Sequence, residues 1–373
     1  MVISRTPYRI SFFGGGTDYP AWYRANGGAV LGTAIDKYCF ITCRYLPPFF
    51  EHRLRVVYSK IEDCQRASEV QHPVVRTVLG MLHVERGLEI HHDGDLPARS
   101  GMGSSSAFTV GFLHAMYGLL GRLTSQRALA AEAIHVEQDL IGETVGAQDQ
   151  IFASFGGFNF IEFKRDGSFR VEPLTVTKDR LDELNGSLML FYTGLRRTAS
   201  EVAASYVTDI GARTKQLSRM RQMVDEGMKI LAGDDSLDAF GDLLDEAWRL
   251  KRSLSGVVSN TQVDEIYAEA RRGGARGGKL LGAGGGGFVL FFVPAGCRQK
   301  VKERLRNLIW VPFQFDTGGS QIIFYSPGQD YAELDQARSE NPGQSFREAF
   351  AAAGSISTTS PGGPPGKRPR KKT

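Results

Sequence analysis

Cysteine is scarce: the chain has four, Cys39, Cys43, Cys64 and Cys297, and no two of them form a C-x-x-C pair. That rules out a disulfide framework or a cysteine zinc site as the organising feature. Cys39 and Cys43 lie in an apolar run and read as buried thiols. No stretch approaches the roughly 20 consecutive apolar residues that a membrane helix needs. The opening Met1-Val2-Ile3-Ser4-Arg5 lacks the charged, apolar, small-residue order of a signal peptide. The expectation is a cytoplasmic protein with no membrane segment. Charge of one sign is also missing from the body of the chain. The formal +4 comes from Lys367, Arg368, Arg370, Lys371 and Lys372 near the end; without them 40 basic residues face 41 acidic ones. The body therefore has no net attraction for nucleic acid.

The composition is that of a globular protein, 42% hydrophobic and 23% charged. At 373 residues the chain exceeds what one core organises, so two domains are expected. The pattern places them at 1–185 and 186–335. A tail, 336–373, carries one capping-box match at Ser345 to Glu348 and then becomes Ser/Thr/Pro/Gly-rich and basic. Strands are expected at 2–13, at 30–45 as one or two, at 158–163, at 188–192 and at 287–293. Residues 104–120, apolar on nearly every face, predict a buried helix. A second helix runs from a Thr124 or Ser125 cap to Gly142, and further helices fill 199–254 and 262–272. The polar stretch 175–187 reads as the boundary between domains.

Three glycine-rich segments carry the chemistry. The first is Arg99-Ser100-Gly101-Met102-Gly103-Ser104-Ser105-Ser106, at the mouth of the buried helix. Glycines let backbone N–H groups approach an anion, the helix N-terminus favours phosphate, and a serine hydroxyl can ligate Mg²⁺. Three serines entering an apolar helix exceed what a cap needs. The second is Gly282 to Gly287, which matches G-x-G-x-x-G but is expected to follow a helix and open a strand, the wrong context for a dinucleotide fold. Just upstream, Gly273 to Lys279 resembles a P-loop but has Leu280 where Ser or Thr is required. The third is Gly14-Gly15-Gly16-Thr17-Asp18, where Asp18 could bind sugar hydroxyls or simply satisfy a local turn. Glu137 and Asp149 supply carboxylates of the kind phosphoryl transfer uses, though each alone also reads as a solvated helix residue or a cap.

Taken together, Pro7 to Asp18, Leu96 to Ala107 and Lys279 to Gly287 resemble, in order, the three motifs of the GHMP kinases. That family includes galactokinase, homoserine kinase, mevalonate kinase and phosphomevalonate kinase. The resemblance implies an α+β fold: an N-terminal α/β domain with a left-handed βαβ unit, a C-terminal ferredoxin-like domain, and a cleft for ATP and substrate. It implies that residues 99–106 wrap the ATP phosphates, that Ser104 or Ser105 binds Mg²⁺ with Glu137, and that Asp149 orients or deprotonates the acceptor. Arg9 would stabilise the transferring phosphoryl group, and Gly15, Gly16, Thr17, Asp18, Gly284 and Gly285 would line the substrate end. Within the family the segments 14–20 and 29–38 look most like the D-glycero-D-manno-heptose 7-phosphate kinases, with fucokinase-type enzymes next. Such an enzyme phosphorylates the anomeric hydroxyl of a sugar phosphate, and Lys37, Arg196, Arg197 and Lys279 are candidate cations for the phosphate already present. Other acceptors and a non-catalytic sensor of ATP and sugar stay open at this level, as do monomer and homodimer.

Overall fold

The computed structural model describes residues 1–98, 100–195, 199–208, 210–326 and 331–340. Arg99, Arg196, Arg197 and the expected tail beyond 340 lie outside the described residues.

The first half of the chain supplies β1 (Val2–Phe13), β2 (Gly28–Tyr45), β3 (Leu54–Val57), β4 (Ile61–Cys64), β5 (Leu88–Gly94), β6 (Phe158–Phe163) and β7 (Phe169–Pro173) to one sheet. The run at 30–45 is one strand because its two halves serve different neighbours. Gly28 to Thr33 pair with β6, and Cys39 to Tyr45 pair with β5. β1 lies along the other side of nearly the whole length. The helices of this half are α1 (Pro20–Asn26), α2 (Pro73–Met81), α3 (Ser104–Leu119), α4 (Gln126–Ile134) and α5 (Gln148–Phe155). α3 packs on β1 and β2 and is buried on most faces, as its unbroken apolar sequence requires. Ser125 caps α4, its hydroxyl accepting from Ala128 N at 3.1 Å.

The polar stretch expected to mark a boundary forms a helix, α6 (Lys178–Ser187), capped by Thr177. The helical region that follows is α7 (Ala199–Val207), α8 (Thr214–Ala232), α9 (Asp238–Arg252) and α10 (Thr261–Arg272), with α11 (Arg298–Arg304) beyond. A second sheet holds β8 (Leu188–Tyr192), β9 (Gly277–Leu280), β10 (Phe288–Phe292) and β11 (Ile309–Val311). Its spatial order is β11-β8-β10-β9 and every pair is antiparallel, the 4-1-3-2 arrangement of a ferredoxin-like unit. The glycine run 282–287 thus joins two strands. The sequence reading missed β9, although its rejection of a dinucleotide turn stands, since no helix follows.

The expected second domain, 186–335, is not self-contained. β12 (Phe315–Asp316) pairs with β2, and β13 (Gln321–Tyr325) pairs with the outer edge of β1 before α12 (Ala332–Glu340). β1 would otherwise present a long row of unpaired backbone groups. Aromatic rings fill the junction between the sheets: Phe240 of α9 meets Phe12 and Phe13 edge-on at 5.4 and 5.0 Å. Gly227 of α8 is small because a Cβ there would lie 2.7 Å from the Phe13 ring.

Candidate active site

The chain leaves β5 and reaches α3 through Gly101 and Gly103, both in left-handed conformations at φ 82° and 74°. Gly103 is the N-cap, and no side chain caps the helix. The first-turn amides of this 16-residue helix are thus of the kind that can receive an anion. Met102 is fully buried, and its carbonyl accepts from Arg9 N at 3.2 Å, so it anchors the loop rather than touching a ligand. Of the three serines, Ser105 is exposed, Ser104 is half-buried and Ser106 is buried.

Ser106 donates to Glu137 Oε2 at 2.9 Å, and Gln150 Nε2 donates to the same oxygen at 2.5 Å. Glu137 sits on the widened helical turn His135–Leu140 that continues α4, the kind of irregularity that re-aims a side chain at a functional site. It is 1% exposed, and Oε1 has no hydrogen-bond partner among the described residues. Burial pushes its carboxyl up to about 7 against the pull of its hydroxyl and amide donors. Among the described residues no three His, Cys, Asp or Glu side chains converge on a metal position. Mg²⁺ does not need them, since it binds through one or two carboxylates together with substrate phosphates. A buried carboxylate with an open oxygen, bonded to Ser106 in the first turn of α3, fits that requirement.

Asp149, in the first turn of α5, holds Arg9 of β1 in a two-pronged pair, Nε to Oδ1 and Nη2 to Oδ2, both at 2.8 Å. Arg9 Nη1 donates to Gly101 O at 2.7 Å, so one guanidinium joins the Asp149 carboxylate to the glycine-serine loop before α3. One residue before Asp149, Gln148 donates from Nε2 to Asp18 Oδ2 at 2.9 Å, while Gly16 N donates to Oδ1 at 2.9 Å. Asp18 is 1% exposed, and a Cβ on Gly146 would fall 1.9 Å from its Oδ2. Burial raises the Asp18 carboxyl, its Gly16 donor opposes this, and Asp149 nearby adds to the rise. The hydrogen bonds of Asp18 are those of the turn reading, and they place its carboxylate next to Gln148, the neighbour of Asp149. Thr17, also buried, pins the turn between the Gly14 and Ala29 carbonyls. Gly15 leaves room between Gln148 Nε2 and Ser11 Oγ, each 3.6 Å from where its Cβ would lie.

Not every candidate joins this cluster. Lys37 lies three residues along β2 from Ala34, the partner of Arg9, and its ammonium donates to Asp36 at 2.9 Å. Gly284 and Gly285 lie against Val258, with Gly285 N donating to Val258 O at 2.9 Å and Asn260 Nδ2 donating to Gly285 O at 3.1 Å. Some further candidates, Ser11, Gln148, Gln150 and Lys251, have no role in the sequence reading, whereas Ser100 is a phosphate-loop residue there and Lys279 a candidate cation. Ser11 Oγ, Ser100 Oγ, Gln148 Oε1 and Gln150 Oε1 are buried with no hydrogen-bond partner among the described residues. Ser11 and Gln148 meet beside Gly15, and Gln150 shares the Glu137 carboxylate with Ser106; buried polar atoms left without partners are of the kind a ligand satisfies. Lys251 and Lys279 are buried lysines; Lys279 donates to Phe12 O at 2.7 Å.

The fold and this constellation define a kinase class. Residues 70–157 match the family model "GHMP kinases N terminal domain", and residues 230–309 match "GHMP kinases C terminal". The chain is 30% identical over 318 residues to the D-glycero-alpha-D-manno-heptose 7-phosphate kinase of Campylobacter jejuni, covering 82% of this chain and 93% of that one. It belongs to the GHMP kinase family and is an ATP-dependent phosphotransferase with an alcohol as acceptor. It is also 28% identical over 337 residues to the bifunctional fucokinase/GDP-fucose pyrophosphorylase of Arabidopsis thaliana, covering 83% of this chain and 31% of that one. A solved D-glycero-D-manno-heptose 1-phosphate kinase from Bacteriodes thetaiotaomicron superposes with TM-score 0.71 at 25% identity, over 87% of this chain and all of that one. No helix among the described residues is long and apolar enough to cross a membrane.

Proposed function

We propose that the protein transfers the γ-phosphoryl group of ATP to the anomeric hydroxyl of D-glycero-D-manno-heptose 7-phosphate, giving the 1,7-bisphosphate in the cytoplasm. The observation that carries the reading is the Arg9–Asp149 pair, which ties a carboxylate at the acceptor end to the phosphate loop through Gly101. The similarity to a heptose 7-phosphate kinase over most of both chains supports the substrate class.

In this reading Ser100 to Ser106, with Arg99, cradle the ATP phosphates. Asp149 receives the hydrogen of the acceptor hydroxyl as the new O–P bond forms and the bond to ADP breaks. Arg9 offsets the charge that builds on the transferring group. Mg²⁺ would be held by Glu137 with Ser104 or Ser105, and it would neutralise charge on the ATP oxygens. Asp18 fixes Gln148, whose open Oε1 and the Ser11 hydroxyl face the sugar with Gly15 and Gly16 between them. Arg196 and Arg197 follow Leu195, whose carbonyl accepts from Gly287 N at 2.9 Å, and they are the cations assigned to the sugar's own phosphate.

The test is an ADP-release assay across heptose 7-phosphate, heptose 1-phosphate, fucose, galactose and mevalonate. Both heptose phosphates belong in the panel because the two relatives' names place the phosphate differently. Heptose 7-phosphate is expected to lead in kcat/KM by at least about a hundredfold, as when buried polar groups lose their partners. A preference for fucose would transfer the reading to that acceptor, and no turnover with any sugar or sugar phosphate would overturn it.

A further inference from the structure

Lys251, at the C-terminal end of α9, is 8% exposed and has no carboxylate in its hydrogen-bonding shell among the described residues. Its ammonium donates to Leu280 O at 3.0 Å and to Gly282 O. Those carbonyls flank Leu281, whose own carbonyl lies against Gly101: a Cβ on Gly101 would be 2.6 Å from it, and a Cβ on Gly282 would be 2.4 Å from Gly101 Cα. Gly101 O in turn accepts from Arg9, which holds Asp149. A continuous run of contacts thus leads from a buried ammonium in the second unit to the phosphate loop and acceptor carboxylate of the first.

We propose that Lys251 is a positioning residue of the nucleotide site: its ammonium locks the 280–282 backbone against the phosphate loop and adds positive charge behind the bound phosphates. This rests on the nucleotide reading of residues 100–106 and is independent of which sugar is the acceptor. Few other groups would explain a buried lysine whose hydrogen bonds go to neutral carbonyls, since burying an unpaired charge is expensive unless an anion compensates for it. The charged groups facing Lys251 are Arg9 from β1, Asp149 from α5, Asp18 from the turn after β1 and Lys279 from β9. Burial first and Arg9 second push its ammonium down to about 7, with Asp149 and Asp18 pulling the other way. The charge is therefore present below about pH 7 and lost as pH rises through that value in the unliganded protein.

The experiment measures calorimetric binding of Mg²⁺ with a non-hydrolysable ATP analogue to the full chain and to Lys251→Gln and Lys251→Arg, from pH 6 to 9, with melting temperatures alongside. Glu137 titrates in the same range and is shared by all three proteins, so the readout is the ratio of affinities. Lys251→Gln, which keeps an amide N–H donor but no charge, is expected to bind roughly tenfold more weakly than the wild type at pH 6, with the gap closing as pH rises, while Lys251→Arg, charged throughout, should gain on the wild type toward pH 9. A wild-type to Gln ratio that is constant across this range overturns the proposal, and so does a constant wild-type to Arg ratio if the Gln variant does not fold. So does a Gln variant that binds as the wild type does, whatever its melting temperature. Because no acceptor is present, an inactive acceptor panel leaves this result readable on its own.

Discussion

Replacing Asp149 by asparagine keeps the shape of the α5 N-terminus and removes the charge that faces Arg9. The expected outcome is a fall in kcat of about a hundredfold to a thousandfold with little change in the affinity for ATP. A stability loss of about 1–3 kcal/mol in urea titration should accompany it, because Arg9 is buried and keeps only the Gly101 carbonyl and a neutral amide. Normal turnover by the variant would remove Asp149 from the chemistry. Arg9, Asp149 and Asp18 were legible only because three motifs occur in order; their pairing is a tertiary fact that spacing does not contain. Lys251 left a fainter mark. Phe240, Leu244, Ala247, Trp248 and Lys251 share the buried stripe of α9, and a lysine at such a position signals a special partner. Ser11 and Gln148 left none, since an unpartnered polar atom is invisible until its surroundings are known.

At the scale of elements, helices and strands with strong side-chain patterns were readable: β1, α3, α4, β6, β8 and β10 fall where the apolar periodicity puts them. α6 was not, because only Leu181 and Leu184 mark its inner face among polar residues, although Thr177 accepts from Arg180 N as a helix cap should. β9 was hidden by Gly277 and Gly278, which carry no side-chain signal. A Cβ on Gly277 would lie 1.9 Å from Gly241 O, so glycine there reflects the close seating of α9 on the sheet. The two glycine loops lead to a prediction of the same kind. Gly282→Ala, at φ 68° and against Gly101, is expected to cost at least about 2 kcal/mol and to weaken ATP binding. Gly80→Ala, in α2 with nothing within 4 Å of the new methyl, should be neutral or stabilising by up to about 1 kcal/mol. Chemical denaturation of the two variants side by side checks both signs.

For the whole molecule, the return of β13 to β1 is what makes two units one body. A chain ending at Ser320 lacks β13 and leaves the β1 edge open. It is expected to elute as aggregate in size-exclusion chromatography, whereas a chain ending at Glu340 keeps the strand and should elute as a single species. Equal behaviour of the two would mean that β13 is dispensable. Sequence reading divided the chain at a single point because it follows covalent order, and nothing in residues 315–325 says which sheet will take them.

The same closure sets a clock on synthesis. Met1 and Ser326 are hydrogen-bonded to each other through their backbones, so roughly 300 residues are synthesised between β1 and the strand that becomes its second neighbour. At ordinary rates of translation the interval is on the order of tens of seconds. For that time the nascent chain carries a bare strand edge, and its need for a holding chaperone should end when residues 321–325 emerge from the exit tunnel.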